Sequence, residues 1–145
     1  MPDTPSAWPR GAPMVGQTAE RSRRVTAEDI ERFTAISGDR NPLHYDAGLA
    51  ATGRFGGLIV QGGVTTAILN ACVAEDLPGP GTVFLRTEWD FTAPVHPGDT
   101  VTGRVEVLEV RDDKPVTRLR TTVTRGDGTV AVDGTAMCYT VPLEG

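Results

Sequence analysis

The chain has 145 residues, one domain's worth, with 39% hydrophobic residues, 17 glycines and 11 prolines; this composition is turn-rich and globular, which excludes disorder throughout. Fourteen basic against 19 acidic side chains give a net charge of −5, which argues against the basic surface of a nucleic-acid-binding domain. No apolar run approaches the roughly 18–20 residues of a membrane span, and the Arg21, Arg23, Arg24 cluster lacks the apolar stretch of a signal peptide, so a cytoplasmic protein is expected.

In chain order, residues 1–14 carry Pro2, Pro5, Pro9 and Pro13 without apolar periodicity and read as an extended tail with no core of its own. Residues 15–145 form the single domain. A weak polar pattern over 16–25 suits an edge strand. Thr26 then starts a helix whose first turn is acidic at Glu28 and Asp29; Ile30, Phe33 and Ile36 recur at helical spacing, and Ser37-Gly38 ends it. A polar loop follows, then a short helical piece over 47–51. From Val64 to about residue 74 a helix is apolar on nearly every side, which marks it as buried within the fold.

Everything after Gly81 reads as strand. Val83, Leu85, Thr87, Trp89 and Phe91 alternate with Phe84, Arg86, Glu88 and Asp90. A turn over 94–99 leads to a long strand over 100–110, and Asp112-Asp113-Lys114-Pro115 turns the chain back. Strands over 116–124 and 129–141 are joined by the hairpin signal Arg125-Gly126-Asp127-Gly128. One strand, then helices, then four antiparallel strands predicts an α+β layer packing with the apolar helix on one face of the sheet. Cys72 and Cys138, far apart in apolar stretches, read as buried free thiols.

The densest polar chemistry lies in the loop. Asp39 and His44 stand five residues apart around Pro42, which fixes its own φ and restricts Asn41. A carboxylate and an imidazole converging on one water could divide a proton transfer; the alternative is that Asp39 caps a turn and His44 packs as a neutral core histidine. Gly62-Gly63, before the apolar helix, offers backbone amides at the positive end of a helix dipole. They suit an oxyanion, or simply a tight turn against a sheet.

Ser37-Gly38-Asp39-Arg40-Asn41-Pro42-Leu43-His44-Tyr45-Asp46 closely resembles the hydratase motif of the MaoC-like (R)-specific enoyl-CoA hydratases. The resemblance continues through Phe55, Ile59, Val60 and Gly62, through residues 89–91 and 94–99, and through Asp113-Lys114-Pro115, spanning roughly residues 16–141. It implies a hot-dog fold, a curved antiparallel sheet wrapped around a long central helix that begins near Gly62. It assigns Asp39 and His44 as the catalytic pair holding the added water, with Asp39 drawing its proton and His44 orienting it and supplying a proton to C2. Asn41 and Pro42 match the centre of the motif, and the Gly62 amide would bind the thioester oxygen. The implied reaction is hydration of a trans-2-enoyl-CoA or acyl-carrier thioester to the (R)-3-hydroxyacyl product, or its reversal. No metal or redox cofactor is implied, and a homodimer with pockets near its interface is expected.

Two positions depart from the family: Gln61 and Gly63 stand where its members usually have histidine and methionine, and loss of the methionine is expected to widen the acyl pocket. Asn70 either points into that pocket or satisfies a backbone group. His96 is expected to be a solvated loop residue, and Arg54, Arg111, Arg118 and Arg120 a solvated face. Two other classes compete. His44-Tyr45-Asp46 has the H-x-D spacing of a hot-dog thioesterase, and a non-catalytic acyl-thioester binder would share the fold. The serines Ser6, Ser22 and Ser37 lie in no G-x-S-x-G elbow, which disfavours a serine nucleophile.

Overall fold

Five antiparallel strands form one sheet in the computed structural model, which describes residues 7, 8 and 11–143. They are β1 (Thr18–Arg24), β2 (Thr82–Phe91), β3 (Thr100–Val110), β4 (Val116–Arg125) and β5 (Val130–Thr140), in the order β1-β3-β4-β5-β2. Thus β1 is an edge strand, as its polar pattern predicts, and β2 is the other edge. Much of the proline-rich tail falls outside the described residues; of the part described, Trp8 donates its indole N–H to the Arg111 carbonyl at 3.0 Å.

One face of the sheet is apolar because alternate residues on β3 and β4 are. Val101, Val105 and Val107 of β3, Leu119 and Val123 of β4, and Val132, Ala136 and Cys138 of β5 are buried together. On β2 the simple alternation fails. The register slips between Phe84 and Arg86, so Leu85 is an extra residue and the phase of the strand inverts there. Phe84 therefore turns inward and meets Trp89 edge-on at 5.8 Å, while Val83 and Leu85, expected on the apolar face, are each 53% exposed. Beyond the bulge Trp89 pairs with Gly134, which pairs with Thr121 on the far side. With no side chain on Gly134, the indole crosses β5 and donates to the Thr121 hydroxyl at 2.8 Å.

Helix α1 (Ala27–Ser37) begins where the sequence predicts. Asp29 accepts the Thr26 backbone N–H at 2.9 Å and pairs with Arg23 at 3.0 Å and Arg32 at 3.2 Å. Burial pushes the Asp29 carboxyl up, but that backbone bond and the two guanidinium groups outweigh it and hold the group below the usual carboxylate range. Gly38, at φ 77°, ends the helix in the left-handed conformation. Ile36 is 81% exposed, not part of the buried stripe: six residues beyond Ile30 is about 240° around the helix, whereas Thr34, four beyond, returns to the same face and is buried.

Two short helices, α2 (Pro42–Tyr45) and α3 (Ala47–Thr52), precede α4 (Gly62–Ala71), which continues as a π-helical turn over Cys72–Asp76. Ile68, Leu69 and Cys72 turn to the sheet, where Gly103 permits close approach: a Cβ there would lie 2.8 Å from Ile68 Cγ2. Full burial of a side chain such as Leu69 contributes roughly 1.5–3 kcal/mol. Cys72 donates its thiol to the Gly103 carbonyl at 3.5 Å, and burial pushes Cys138 up to about 12. Both cysteines are free and buried, as expected.

Candidate active site

The loop after α1 is built by its own side chains. Ser37 donates to the Phe33 carbonyl at 2.7 Å and accepts the Asp39 N–H at 3.1 Å. Asp39 Oδ1 accepts the Asn41 N–H at 3.0 Å, and Asn41 Oδ1 accepts the Leu43 N–H at 3.1 Å, capping α2 with Pro42 in its first turn. Sequence reasoning treated this stretch as loop, although Asn-Pro is a cap-plus-first-position signal. The helical turn matters because it swings His44 inward, where it is 7% exposed.

His44 Nδ1 lies 2.7 Å from the Ile59 carbonyl oxygen. A carbonyl only accepts, so Nδ1 carries a proton, and in the neutral tautomer this leaves Nε2 as the acceptor. Nε2 faces Asp39 Oδ2 at 3.5 Å. Two acceptors facing each other at that distance make no direct bond, but together they suit the two hydrogens of one water. The structure thus brings Asp39 and His44 together.

Gly62 begins α4, with Gln61 as its cap. Gln61 O receives the N–H groups of Val64 and Thr65, while those of Gly62 and Gly63 have no protein acceptor among the described residues. These two free amides sit at the positive end of the helix dipole. Phenyl rings flank them. A Cβ on Gly62 would lie 3.0 Å from Phe91 Cε1, and one on Gly63 only 2.0 Å from Phe33 Cζ. Gly63 therefore does not widen the site; the Phe33 ring occupies the space a longer side chain would take. Gly62 lines a cavity of about 660 Å³ with Ile59, Thr65, Phe91, His96 and Arg54. Asp39 and His44 do not line it; the link is Ile59, whose side of the chain borders the cavity and whose carbonyl holds His44.

Other expectations resolve differently. Asp46 accepts the Leu49 N–H at 3.0 Å as the cap of α3 and lies within 4 Å of no cationic side chain among the described residues, so it forms no pair with His44. His96 is not a freely solvated loop residue: its Nε2 donates to the Phe55 carbonyl at 2.8 Å and its backbone N–H to Asp99 at 2.9 Å, fixing the 55–57 turn against the β2–β3 connection. Asn70 is exposed and takes neither expected role within the chain. Arg111 and Arg120 pair with Asp113 and Asp133 on the surface, as a solvated face should.

The sequence reading missed the polar group formed by buried Thr34 and Gln61 with half-buried Tyr45. The one signal was Thr34 at i+4 from Ile30. Among the described residues no group of three His, Cys, Asp or Glu side chains could hold a metal, and no helix is long and apolar enough to cross a membrane.

The fold recurs in known proteins. The chain is 40% identical over 123 residues to an (R)-specific enoyl-CoA hydratase of Aeromonas caviae, covering 85% of this chain and 92% of that protein. It is 37% identical over 123 residues to a 3-hydroxybutyryl-CoA dehydratase of Methylorubrum extorquens, covering 85% and 78%. A solved structure of the (R)-hydratase from A. caviae involved in PHA biosynthesis superposes with a TM-score of 0.84 at 38% identity over 88% of this chain and 97% of that one. That likeness confirms the hot-dog architecture of a helix on an antiparallel sheet. Residues 12–129, most of the sheet and all of the candidate site, match the family described as MaoC like domain, and to that family the chain belongs.

Proposed function

We propose that this enzyme adds water across the double bond of a trans-2-enoyl thioester to give the (R)-3-hydroxyacyl thioester, and catalyses the reverse dehydration. The observation that carries the reading is the Asp39–His44 pair, 3.5 Å apart with Nδ1 of His44 fixed on the Ile59 carbonyl. The names of the Aeromonas and Methylorubrum relatives support the substrate class, and that of the Aeromonas relative the product's hand.

In the hydration direction Asp39 and His44 Nε2 each accept a hydrogen of one water, so that its lone pair faces C3. As the C3–O bond forms, one water proton passes to this pair, and C2 gains a proton from it; the electrons of the double bond move onto the thioester oxygen and return to C2. Because Nδ1 stays bonded to Ile59, any proton His44 delivers leaves from Nε2. The Gly62 N–H, backed by the helix dipole, stabilises the developing oxyanion, a contribution of about 2.7–4 kcal/mol for one such donor. Asn41 and Pro42 hold the loop. Every step is a proton transfer or a bond made to water, so the chemistry needs no metal or redox cofactor. The carrier is coenzyme A or an acyl-carrier protein.

A second copy of the chain completes the site in this reading. The cavity beside Gly62 is bordered by Phe91 at the end of β2, an edge strand on which Val83, Leu85 and Phe91 are more than half exposed. Sedimentation should therefore give a homodimer; a folded, active monomer would remove this part of the proposal. The thioesterase alternative loses its support, since Asp46 caps α3 and does not meet His44.

The test is to follow the enoyl absorbance of short and medium-chain trans-2-enoyl-CoA alongside free thiol. Loss of absorbance without thiol release is expected. Thiol release would move the protein to the thioesterases, and silence in both assays to a binding role.

A further inference from the structure

Thr34 is 5% exposed, and its hydroxyl is where three parts of the site meet. It lies 2.8 Å from the Asp39 carbonyl, 2.5 Å from the Tyr45 hydroxyl and 3.1 Å from Gln61 Nε2. The directions of these bonds are fixed by chemistry. A carbonyl only accepts, so Thr34 donates its one hydrogen to Asp39 O; an amide nitrogen only donates, so Gln61 gives a hydrogen to Thr34; the Tyr45 O–H must then donate as well. The second Nε2 hydrogen of Gln61 goes to the Ile30 carbonyl at 3.1 Å. Turning the amide over would set Oε1 against two groups that need donors, so the orientation is determined.

This arrangement leaves Gln61 Oε1 buried without a partner; among the described residues only Thr117 Oγ1 shares that condition. Gln61 is 2% exposed. An unmet buried acceptor is destabilising, and an apolar side chain there would carry no such penalty. Its position shows what it accomplishes. Asp39 is the base, Tyr45 follows His44, and Gln61 precedes Gly62, so a single hydroxyl ties both ends of the catalytic loop to the start of α4.

We propose that Thr34 and Gln61 are positioning residues that hold the Asp39–His44 pair in register with the Gly62 amide, an inference that rests on the hydratase reading. They touch no reacting atom. They act by fixing where the water and the thioester oxygen stand relative to each other, and a misplacement of about 1 Å in such a site costs roughly 100-fold in rate.

The test compares Thr34→Val, Thr34→Ser and Gln61→Met in the full chain by steady-state kinetics on trans-2-enoyl-CoA and by thermal melting. Thr34→Val is expected to lower kcat about 10-fold or more with KM within about 2-fold, and Thr34→Ser, which restores the hydroxyl, to return kcat to within about 2-fold of the parent. Gln61→Met removes the unpaired oxygen, so it should melt at or above the parent temperature while kcat falls at least about 5-fold. Loss of activity without loss of stability is what a merely structural role would not produce. Parent-like kcat in both Thr34→Val and Gln61→Met overturns the inference, as does a kcat loss that Thr34→Ser shares in full, or one that follows the unfolded fraction in every variant. A parent chain that consumes no enoyl thioester overturns the hydratase reading and this inference with it, and is thereby told apart from the other failures.

Discussion

Asp39→Asn is expected to fold as the parent does and to lose at least about 100-fold in kcat, the scale of general acid–base catalysis. The fold should survive because the loop uses Asp39 Oδ1 only as an acceptor for the Asn41 N–H, at 3.0 Å, and an amide oxygen can serve there. The chemistry should not. Oδ2 now faces His44 Nε2 at 3.5 Å, and the tautomer with Nδ1 committed to Ile59 presents an acceptor there. An amide NH2 in place of Oδ2 donates to that acceptor directly and takes the position of one of the water's two partners. The variant loses its base and its water together. Enoyl absorbance gives the rate and far-UV circular dichroism the fold; a well-folded variant turning over near the parent rate would take the base role away from Asp39.

Gly134→Ala is expected to destabilise the chain by about 3 kcal/mol or more, at the upper end of what overpacking costs. A Cβ at that position would lie 1.9 Å from the Glu88 carbonyl oxygen and 3.0 Å from Trp89 Cα. Both are backbone atoms of the paired strand, so no side-chain rotation relieves the clash; β2 must move away from β5. Such a shift pulls the Trp89 indole from the Thr121 hydroxyl it now reaches at 2.8 Å, and it displaces Phe91, which stands over Gly62. Urea unfolding followed by tryptophan fluorescence measures the effect, and a midpoint equal to the parent's would contradict the reading of β2–β5 packing. The expected loss of activity is secondary, through the wall of the cavity beside α4.

Local chemistry made much of this protein legible from residue types alone. Thr26 with Asp29 starts α1 and Gly38 stops it because capping and left-handed backbone depend on neighbouring residues. The alternation of Val101, Val105 and Val107, and the Arg125-Gly126-Asp127-Gly128 turn, specify a strand and a hairpin for the same reason. Asp39 and His44 stand out in the sequence because their motif is contiguous, and the resemblance it carries extends to Gly62 and the strands beyond.

What the tertiary structure decided depends on contacts between distant positions. The bulge at Leu85 inverts the inward set of β2, and no local period announces one extra residue opposite β5. Phe33 fills the space above Gly63 from another helix, so a glycine that reads as a widened pocket is in fact a seat for a ring. The proton on His44 is placed by the carbonyl of Ile59, 15 residues away in sequence. Gln61, Thr34 and Tyr45 are ordinary polar residues until packing joins them to one another and to the Asp39 and Ile30 carbonyls. The sequence by itself determined most of the helices and strands and the contiguous Asp39–His44 motif, since those follow from short-range sterics and hydrogen bonding. Only the tertiary structure decided which nitrogen of His44 faces Asp39, which ring shapes the cavity and which hydroxyl ties the loop to the helix, because these follow from burial and from the geometry of chain segments that pack together.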